Sequence, residues 1–192
     1  MNLKSSQKSD LVSFFRVVCN LKKTKRSGWI HKSDISTPES VADHSYSMCM
    51  MSMVLSDMID LDTEHIMKMA NLHDLAESFV GDNMPDKISY EEKLLLEDKA
   101  MTKIISKLPS FLRGKYLDIW NEYIENSTVS AKFVHNMDKL EMALQAKEYE
   151  FDGYSKKSLQ IFLESAADYI SNDGFDIIFE ILQTINDDSK KI

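Results

Sequence analysis

Apolar residues recur at intervals of three and four along most of the chain, and stretches that alternate apolar with polar residues are scarce. This is the period of an amphipathic α-helix. Because only five glycines and three prolines occur, the pattern predicts an all-α fold with short connections. A first helix near residues 9–22 is predicted from the apolar positions Leu11, Phe14, Phe15, Val18 and Leu21.

End signals predict the next two helices. Thr37 can cap a second helix, with Pro38 at its first position and an acid following in the first turn, where the helix dipole favours negative charge. This helix is predicted to continue to about Met58, and a third to span about 63–79 and stop at Gly81. Further helices are predicted near residues 89–107, 110–125, 128–150, 158–171 and 174–186.

Length and composition narrow the class of protein. A chain of 192 residues fits one domain, and we expect residues 1–192 to form a single helical bundle with a core over about 10–170 and C-terminal helices packed on it. No window approaches the roughly 20 apolar residues of a membrane span, and the polar N-terminus is unlike a signal peptide. We therefore expect a cytoplasmic protein, with the nucleus as a further location, and no membrane partner.

The charge of the chain limits the kinds of ligand that it can bind. The net charge of −8 argues against general nucleic-acid binding. Residues 22–32 depart from this balance, with five basic side chains and no acid. Such a loop suits a small anionic ligand, although it is equally typical of a solvated charged surface.

Four metal-capable side chains lie among apolar residues on three separate predicted helices. His44 shares a face with Val41 and Met48, the adjacent pair His73 and Asp74 stands in the third helix, and Asp138 lies between apolar neighbours in the helix near 128–150. A single buried histidine is more often a hydrogen-bonded core residue. Buried carboxylates, however, need a cation or several donors, so the four together predict a site for one divalent cation.

Two further acids follow the His-Asp pair. Glu77 comes one helical turn after His73 and Asp74, where it can bind a metal-bound water and act as general acid or base. Asp82 follows Gly81 and can reach a substrate hydroxyl or a second cation. Their ordinary interpretations are a solvated glutamate and a turn aspartate.

Three sequence segments together resemble a known family. They are ESVADHS at 39–45, HDLAESFVGD at 73–82 and HNMDKLEM at 135–142. The chain resembles the HD-domain phosphohydrolase superfamily, within it the 5'-deoxynucleotidase branch and the HD-domain-containing protein 2 type, over about residues 10–170. A bare His-Asp dipeptide would be far less specific.

The resemblance implies roles for the residues that match. The metal ligands would be His44, His73, Asp74 and Asp138, the catalytic acid or base would be Glu77, and Asp82 would be the second carboxylate. Relatives hold a second cation through the counterparts of Glu77, Asp82 and Asn83. Family members are all-helical homodimers that hydrolyse deoxyribonucleoside 5'-monophosphates.

One departure concerns sugar selectivity. In bacterial members an arginine directly precedes a tryptophan that discriminates against the ribose 2'-hydroxyl. Here Ser27 and Gly28 separate Arg26 from Trp29. The resemblance still implies phosphate binding by Arg26 and a sugar or base contact by Trp29; the other interpretation of Trp29 is a loop anchor.

The expected function is therefore a metal-dependent 5'-deoxynucleotidase that releases phosphate from nucleoside 5'-monophosphates. The nitrogen and oxygen ligands suit Mn²⁺, Co²⁺, Mg²⁺ or Zn²⁺ and do not select among them. One alternative is another HD-type reaction, on a cyclic nucleotide or a guanosine alarmone. The second is a catalytically idle helical module that binds nucleotides.

Overall fold

The computed structural model describes residues 3–82, 89–171 and 174–188. Within these ranges the chain forms ten α-helices, which confirms the all-α prediction. Their bounds are α1 Ser5–Asn20, α2 Ser27–Ser33, α3 Val41–Met58, α4 Thr63–Leu72, α5 Glu77–Val80, α6 Tyr90–Ile105, α7 Ser110–Glu125, α8 Val129–Phe151, α9 Lys156–Ile170 and α10 Asp176–Asp187. None of these described helices is long and apolar enough to cross a membrane.

Helix α8 lies at the centre of the bundle. It packs against α3, α4, α7, α9 and α10, and its inward residues Phe133, Met137 and Leu140 are completely buried. Two of the helices packed on it, α3 and α4, also pack closely on each other. Polar side chains on the facing sides of α3 and α8 are consequently brought together inside the apolar core.

The start of α3 differs from the prediction. Ser40, not Thr37, is the N-cap, and it forms a reciprocal capping box with Asp43. The preceding residues are held extended by tertiary contacts, because Lys25 pairs with Ser40 as an isolated bridge and its Nζ donates to the Pro38 carbonyl at 2.9 Å. The Thr37-Pro38 signal is therefore overridden, and the helix begins three residues later than predicted.

The predicted helix over 63–79 is broken. Helix α4 ends at Leu72 with His73 as its C-cap, a turn covers residues 73–76, and the four-residue α5 begins at Glu77. The His73-Asp74 pair therefore lies at a helix end and not inside a helix. Gly81 ends α5 with a φ of 75°, which confirms the predicted stop.

The basic segment contains a short helix that the sequence pattern did not predict. Helix α2 follows Arg26, its N-cap, and packs on α9. Asn83, one of the residues expected at a second cation, lies outside the described residues. The assignment of residues 1–192 to one domain stays a prediction.

Candidate metal centre

The four predicted metal ligands come from three parts of the fold and meet in its interior. His44 lies on α3, His73 and Asp74 on the turn after α4, and Asp138 on α8. The Nε2 atom of His44 is 3.3 Å from Nε2 of His73 and 3.2 Å from Oδ1 of Asp138. The Oδ2 atom of Asp74 is 3.2 Å from Nε2 of His73 and 3.8 Å from Nε2 of His44.

These separations fit a single cation. Ligand atoms about 2.0–2.2 Å from a metal lie roughly 3.0–3.5 Å from their neighbours in octahedral or tetrahedral geometry. Donor atoms of His44, His73 and Asp74 all lie within 4.8 Å of one another, and Asp138 stands outside that tightest group. Asp138 approaches the site through His44, whose Nε2 lies 3.2 Å from its Oδ1.

Both imidazole rings have an acceptor at the nitrogen that faces away from the centre. His44 Nδ1 lies 2.5 Å from Oε2 of Glu141, and His73 Nδ1 lies 2.7 Å from the Ala70 carbonyl. Donation from Nδ1 to these oxygens leaves Nε2 of each ring as the metal-binding atom. The chemistry of the donor set therefore fits a divalent cation.

Arg26 reaches the same carboxylates. Its guanidinium nitrogens lie 3.3 Å from Oδ2 of Asp74 and 3.8 Å from Oδ1 of Asp138. The residue directly precedes α2, so the short helix places this cation at the rim of the centre. A planar guanidinium in that position can bind two oxygens of a phosphate group at once.

The surrounding charges control the protonation of the ligands. Burial disfavours ionisation of Asp138, but Lys139, the hydrogen bond from His44 and Arg26 outweigh it and hold its pKa well below the usual range. Burial is likewise outweighed at Asp74, whose pKa is lowered by His73, Arg26 and His44. Both carboxylates are therefore ionised at neutral pH and available to a cation.

His44 is affected in the opposite direction. Burial and the charge of Arg26 lower its pKa, whereas hydrogen bonds to Asp138 and Glu141 raise it, and the result is a pKa of about 9. A metal ion would displace the proton from Nε2, because ligation requires that nitrogen to be unprotonated.

Glu77 is the first residue of α5 and is buried. Its Oε2 has no hydrogen-bond partner within the described part of the chain, and its Oε1 lies 3.8 Å from the Nζ of Lys93. Burial, together with the negative charges of Asp74 and Asp82, raises its pKa well above the ordinary value. A buried carboxyl with an uncommitted oxygen is suited to proton transfer.

Asp82 lies where the loop after α5 meets α2. Its Oδ2 accepts the Ser27 peptide N–H at 2.6 Å, and the Ser27 hydroxyl donates to the Asp82 carbonyl at 2.8 Å. Asp82 therefore holds the N-terminal end of α2, and with it the neighbouring Arg26. In the described residues, Glu77 and Asp82 do not belong to a cluster of three potential ligands within 4.8 Å.

Trp29 is almost completely buried. Its ring centroid lies 4.1 Å from that of Phe162 and 5.2 Å from that of Tyr149. Its indole N–H donates to Oε1 of Glu39 at 2.9 Å. The side chain is therefore a fixed wall that anchors α2, as in the alternative interpretation of this residue, and it also borders a cavity.

That cavity opens beside the centre and has a volume of about 430 Å³. Four basic and four apolar residues contribute to its lining: Arg26, Lys32, Lys93 and Lys139, and Trp29, Met142, Ile161 and Phe162, together with Gly28, Asp82 and Ser165. Positive charge beside an apolar wall matches a ligand with an anionic group and a flat organic part. A larger groove of about 750 Å³ lies among α1, α3 and α4 and contains none of the predicted ligands.

Sequence reasoning missed several residues of this region. Lys139 Nζ lies 2.8 Å from Oδ2 of Asp138, and Lys93 approaches Glu77 from α6. Glu141 follows Asp138 by three positions on α8, a spacing that places both on one helix face. That spacing could have identified Glu141, whereas the position of Lys93 depends on how α6 packs.

The sequence model of the HD domain family matches residues 18–176, which include all four predicted metal ligands. The chain belongs to the HD domain family. Among solved structures, the chain is similar to a conserved hypothetical protein from Pyrococcus furiosus, with a TM-score of 0.77 and 27% identity, covering 91% of this chain and 98% of that chain.

Two curated relatives of this HD domain protein have named activities. The 5'-deoxynucleotidase HDDC2 of Homo sapiens is 42% identical over 158 residues, which cover 82% of this chain and 76% of the relative. The 5'-deoxynucleotidase hdd1 of Schizosaccharomyces pombe is 36% identical over 165 residues, covering 83% and 82% respectively.

Proposed function

We propose that this protein is a metal-dependent 5'-deoxynucleotidase that hydrolyses deoxyribonucleoside 5'-monophosphates to nucleoside and phosphate. The main support is the convergence of His44, His73, Asp74 and Asp138 beside a cavity lined by both basic and apolar side chains. The names of the relatives in human and fission yeast agree with it.

The cation would be held by Nε2 of both histidines and by the two aspartates. A bound divalent cation supplies a Lewis acid for a phosphate oxygen and lowers the pKa of a water molecule toward neutrality. The ligand types suit Mn²⁺, Co²⁺, Mg²⁺ or Zn²⁺ alike. A second cation held through Glu77, Asp82 and Asn83 stays part of the proposal.

Arg26 would bind the phosphate. Its guanidinium already lies against two carboxylate oxygens, and a phosphate offers the same paired acceptors. Lys93 and Lys139, which line the cavity, add positive charge that offsets the charge on the transferring phosphoryl group.

Glu77 would move the proton. Its raised pKa favours the protonated carboxyl, which can give a proton to the leaving 5'-oxygen as the P–O bond breaks. A water oxygen forms the new bond to phosphorus, and the proton that it loses returns to Glu77. The reaction consumes one water molecule for each nucleoside and phosphate released.

Trp29 would form the rigid wall against which the sugar lies, and Asp82 would approach a sugar hydroxyl through its Oδ1. Because the Trp29 ring is held by Glu39 and Phe162, this wall cannot retreat to admit a larger group. We therefore include a preference for deoxyribose over ribose in the proposal.

We also propose a homodimer, as the family resemblance implies. Four exposed apolar residues recur at every fourth position along α3, namely Tyr46, Met50, Val54 and Met58. Three more lie on α1, namely Val12, Phe15 and Val18. Exposed apolar residues aligned along a helix in this way are typical of a protein–protein contact. Sedimentation equilibrium of the wild type and of Val54→Lys tests this; a monomeric wild type would refute it.

The decisive test of the reaction is phosphate release from a panel of ribonucleoside and deoxyribonucleoside 5'-monophosphates. Metal-stripped protein is assayed with each of the four cations added back. We expect release from deoxyribonucleotides with at least one cation and none without metal. Cleavage of cyclic nucleotides or alarmones instead would favour another HD-type reaction, and nucleotide binding without any turnover would favour an idle binding module.

A further inference from the structure

His44 has an acidic partner at each ring nitrogen, and both partners come from α8. Oδ1 of Asp138 lies 3.2 Å from Nε2, and Oε2 of Glu141 lies 2.5 Å from Nδ1. Because the two acids are three positions apart on the helix, one face of α8 presents both to the ring. Asp138 belongs to the proposed ligand set, whereas Glu141 lies behind His44, away from the other ligands.

Burial protects this contact from competition by water. His44 is 0% exposed and Glu141 is 2% exposed, so water cannot compete readily for either group. A buried carboxylate is stable only where a donor or a cation compensates it. The donor here is the Nδ1–H of His44, which fixes both the orientation of the ring and the position of its proton.

His73 provides an internal comparison. Its Nδ1 donates to a neutral acceptor, the carbonyl of Ala70. The acceptor of His44 is an acid, which orients the ring equally well and also increases the electron density on Nε2. The two histidines of the centre are therefore not equivalent.

From this geometry we infer that Glu141 is a positioning residue for His44. Its carboxylate holds the imidazole with hydrogen on Nδ1 and with the Nε2 lone pair directed at the cation. The inference rests on the proposed metal centre and goes beyond the ligand set itself. Glu141 does not touch the substrate or the ion.

A nearby arrangement suggests a different role, which the same experiment examines. Donor atoms of Glu39, His44 and Glu141 also lie within 4.8 Å of one another, a distance that would suit a separate ion. Glu39 already accepts a hydrogen bond from Trp29, and Nδ1 of His44 is already bonded to Glu141. Both contacts favour a positioning role for Glu141 over a second ion here.

The test compares Mn²⁺ binding by the wild type, Glu141→Gln and Glu141→Leu, with Glu148→Gln as the matched control on the same helix. Affinity and stoichiometry are measured by competition with a fluorescent chelator. Glutamine keeps an acceptor but loses the charge, so we expect about tenfold weaker binding, and about a hundredfold for leucine. Glu148→Gln should bind as the wild type does.

A spectroscopic signature separates positioning from general damage. In Zn²⁺-loaded protein the Nδ1–H proton of His44 should resonate far downfield and exchange slowly with water. It should move upfield in Glu141→Gln and exchange rapidly in Glu141→Leu. Should the leucine variant fail to fold, the glutamine variant alone decides.

The outcomes are distinguishable. No Mn²⁺ binding by the wild type would refute the metal centre and the proposed function together. Tight wild-type binding that Glu141→Gln leaves unchanged, with an unshifted Nδ1–H proton, would refute the positioning role alone. A loss of one bound ion per chain without a change in affinity for the other would show that Glu141 is itself a ligand.

Discussion

Glu39 should make the metal-free protein less stable as the pH rises. Its carboxyl is largely buried, and burial, together with the nearby charge of Glu141, raises its pKa from 4.5 to about 7, although His44, Arg26 and the bond from Trp29 act in the other direction. Since the folded pKa exceeds the unfolded one, the fold binds this proton more tightly. The associated stability is fully present below pH 4.5 and is lost as the pH rises through about 7.

The magnitude follows from the pKa difference. The difference between the pKa of 4.5 in the unfolded chain and about 7 in the fold, at roughly 1.36 kcal/mol for each pKa unit, corresponds to about 3 kcal/mol. Glu39→Gln removes this dependence while its amide oxygen can still accept the Trp29 N–H. The free energy of unfolding of the variant minus that of the wild type should therefore be about 3 kcal/mol larger at pH 7.5 than at pH 4.5.

Urea unfolding of chelator-treated protein at both pH values measures this difference. Groups that do not interact with Glu39 titrate alike in both proteins and cancel in the comparison. Glu91→Gln, at an exposed position on α6, controls for the loss of one carboxylate. A wild-type-to-variant difference that is the same at both pH values would refute the reasoning.

Three further predictions concern individual side chains. Glu77→Gln should lower kcat about 10²–10⁴-fold while elemental analysis still finds at least one Mn²⁺ per chain, held by the two histidines and two aspartates; near-normal turnover would remove Glu77 from proton transfer. Asp138→Asn should weaken Mn²⁺ binding by more than the roughly 10–100-fold typical of residues behind the ligands, and chelator competition giving wild-type affinity would contradict its place in the set. Trp29→Phe leaves the Glu39 carboxylate without its indole donor and should lower the free energy of unfolding, measured in urea, by about 1–3 kcal/mol. An unchanged urea midpoint would show that this hydrogen bond does not stabilise the fold.

Much of the fold could be predicted because apolar periodicity reports directly on helices packed in a core. Helix α7 was predicted at its observed bounds, and α8 to within one residue at each end. The short α2 was missed because its seven residues carry too little periodicity in a basic segment. The break after Leu72 was missed because residues 73–76 continue the helical pattern in sequence although the chain turns there.

Some residues of the candidate site could be predicted from the sequence and others could not. Buried acids and histidines on separate apolar faces were enough to indicate that His44, His73, Asp74 and Asp138 meet, because each otherwise lacks a partner. The basic loop indicated an anion, and Arg26 does lie at the centre. The contacts of Trp29 with Glu39 and of Lys93 with Glu77 depend on tertiary packing, which periodicity does not encode.

Anomalous diffraction from a crystal of the protein grown with Mn²⁺ tests the central claim most directly. We predict one strong peak within about 2.0–2.3 Å of Nε2 of His44, Nε2 of His73 and carboxylate oxygens of Asp74 and Asp138. The absence of a peak at this position, or a peak there that touches fewer than three of these side chains, would contradict the proposed metal centre and the reaction built on it.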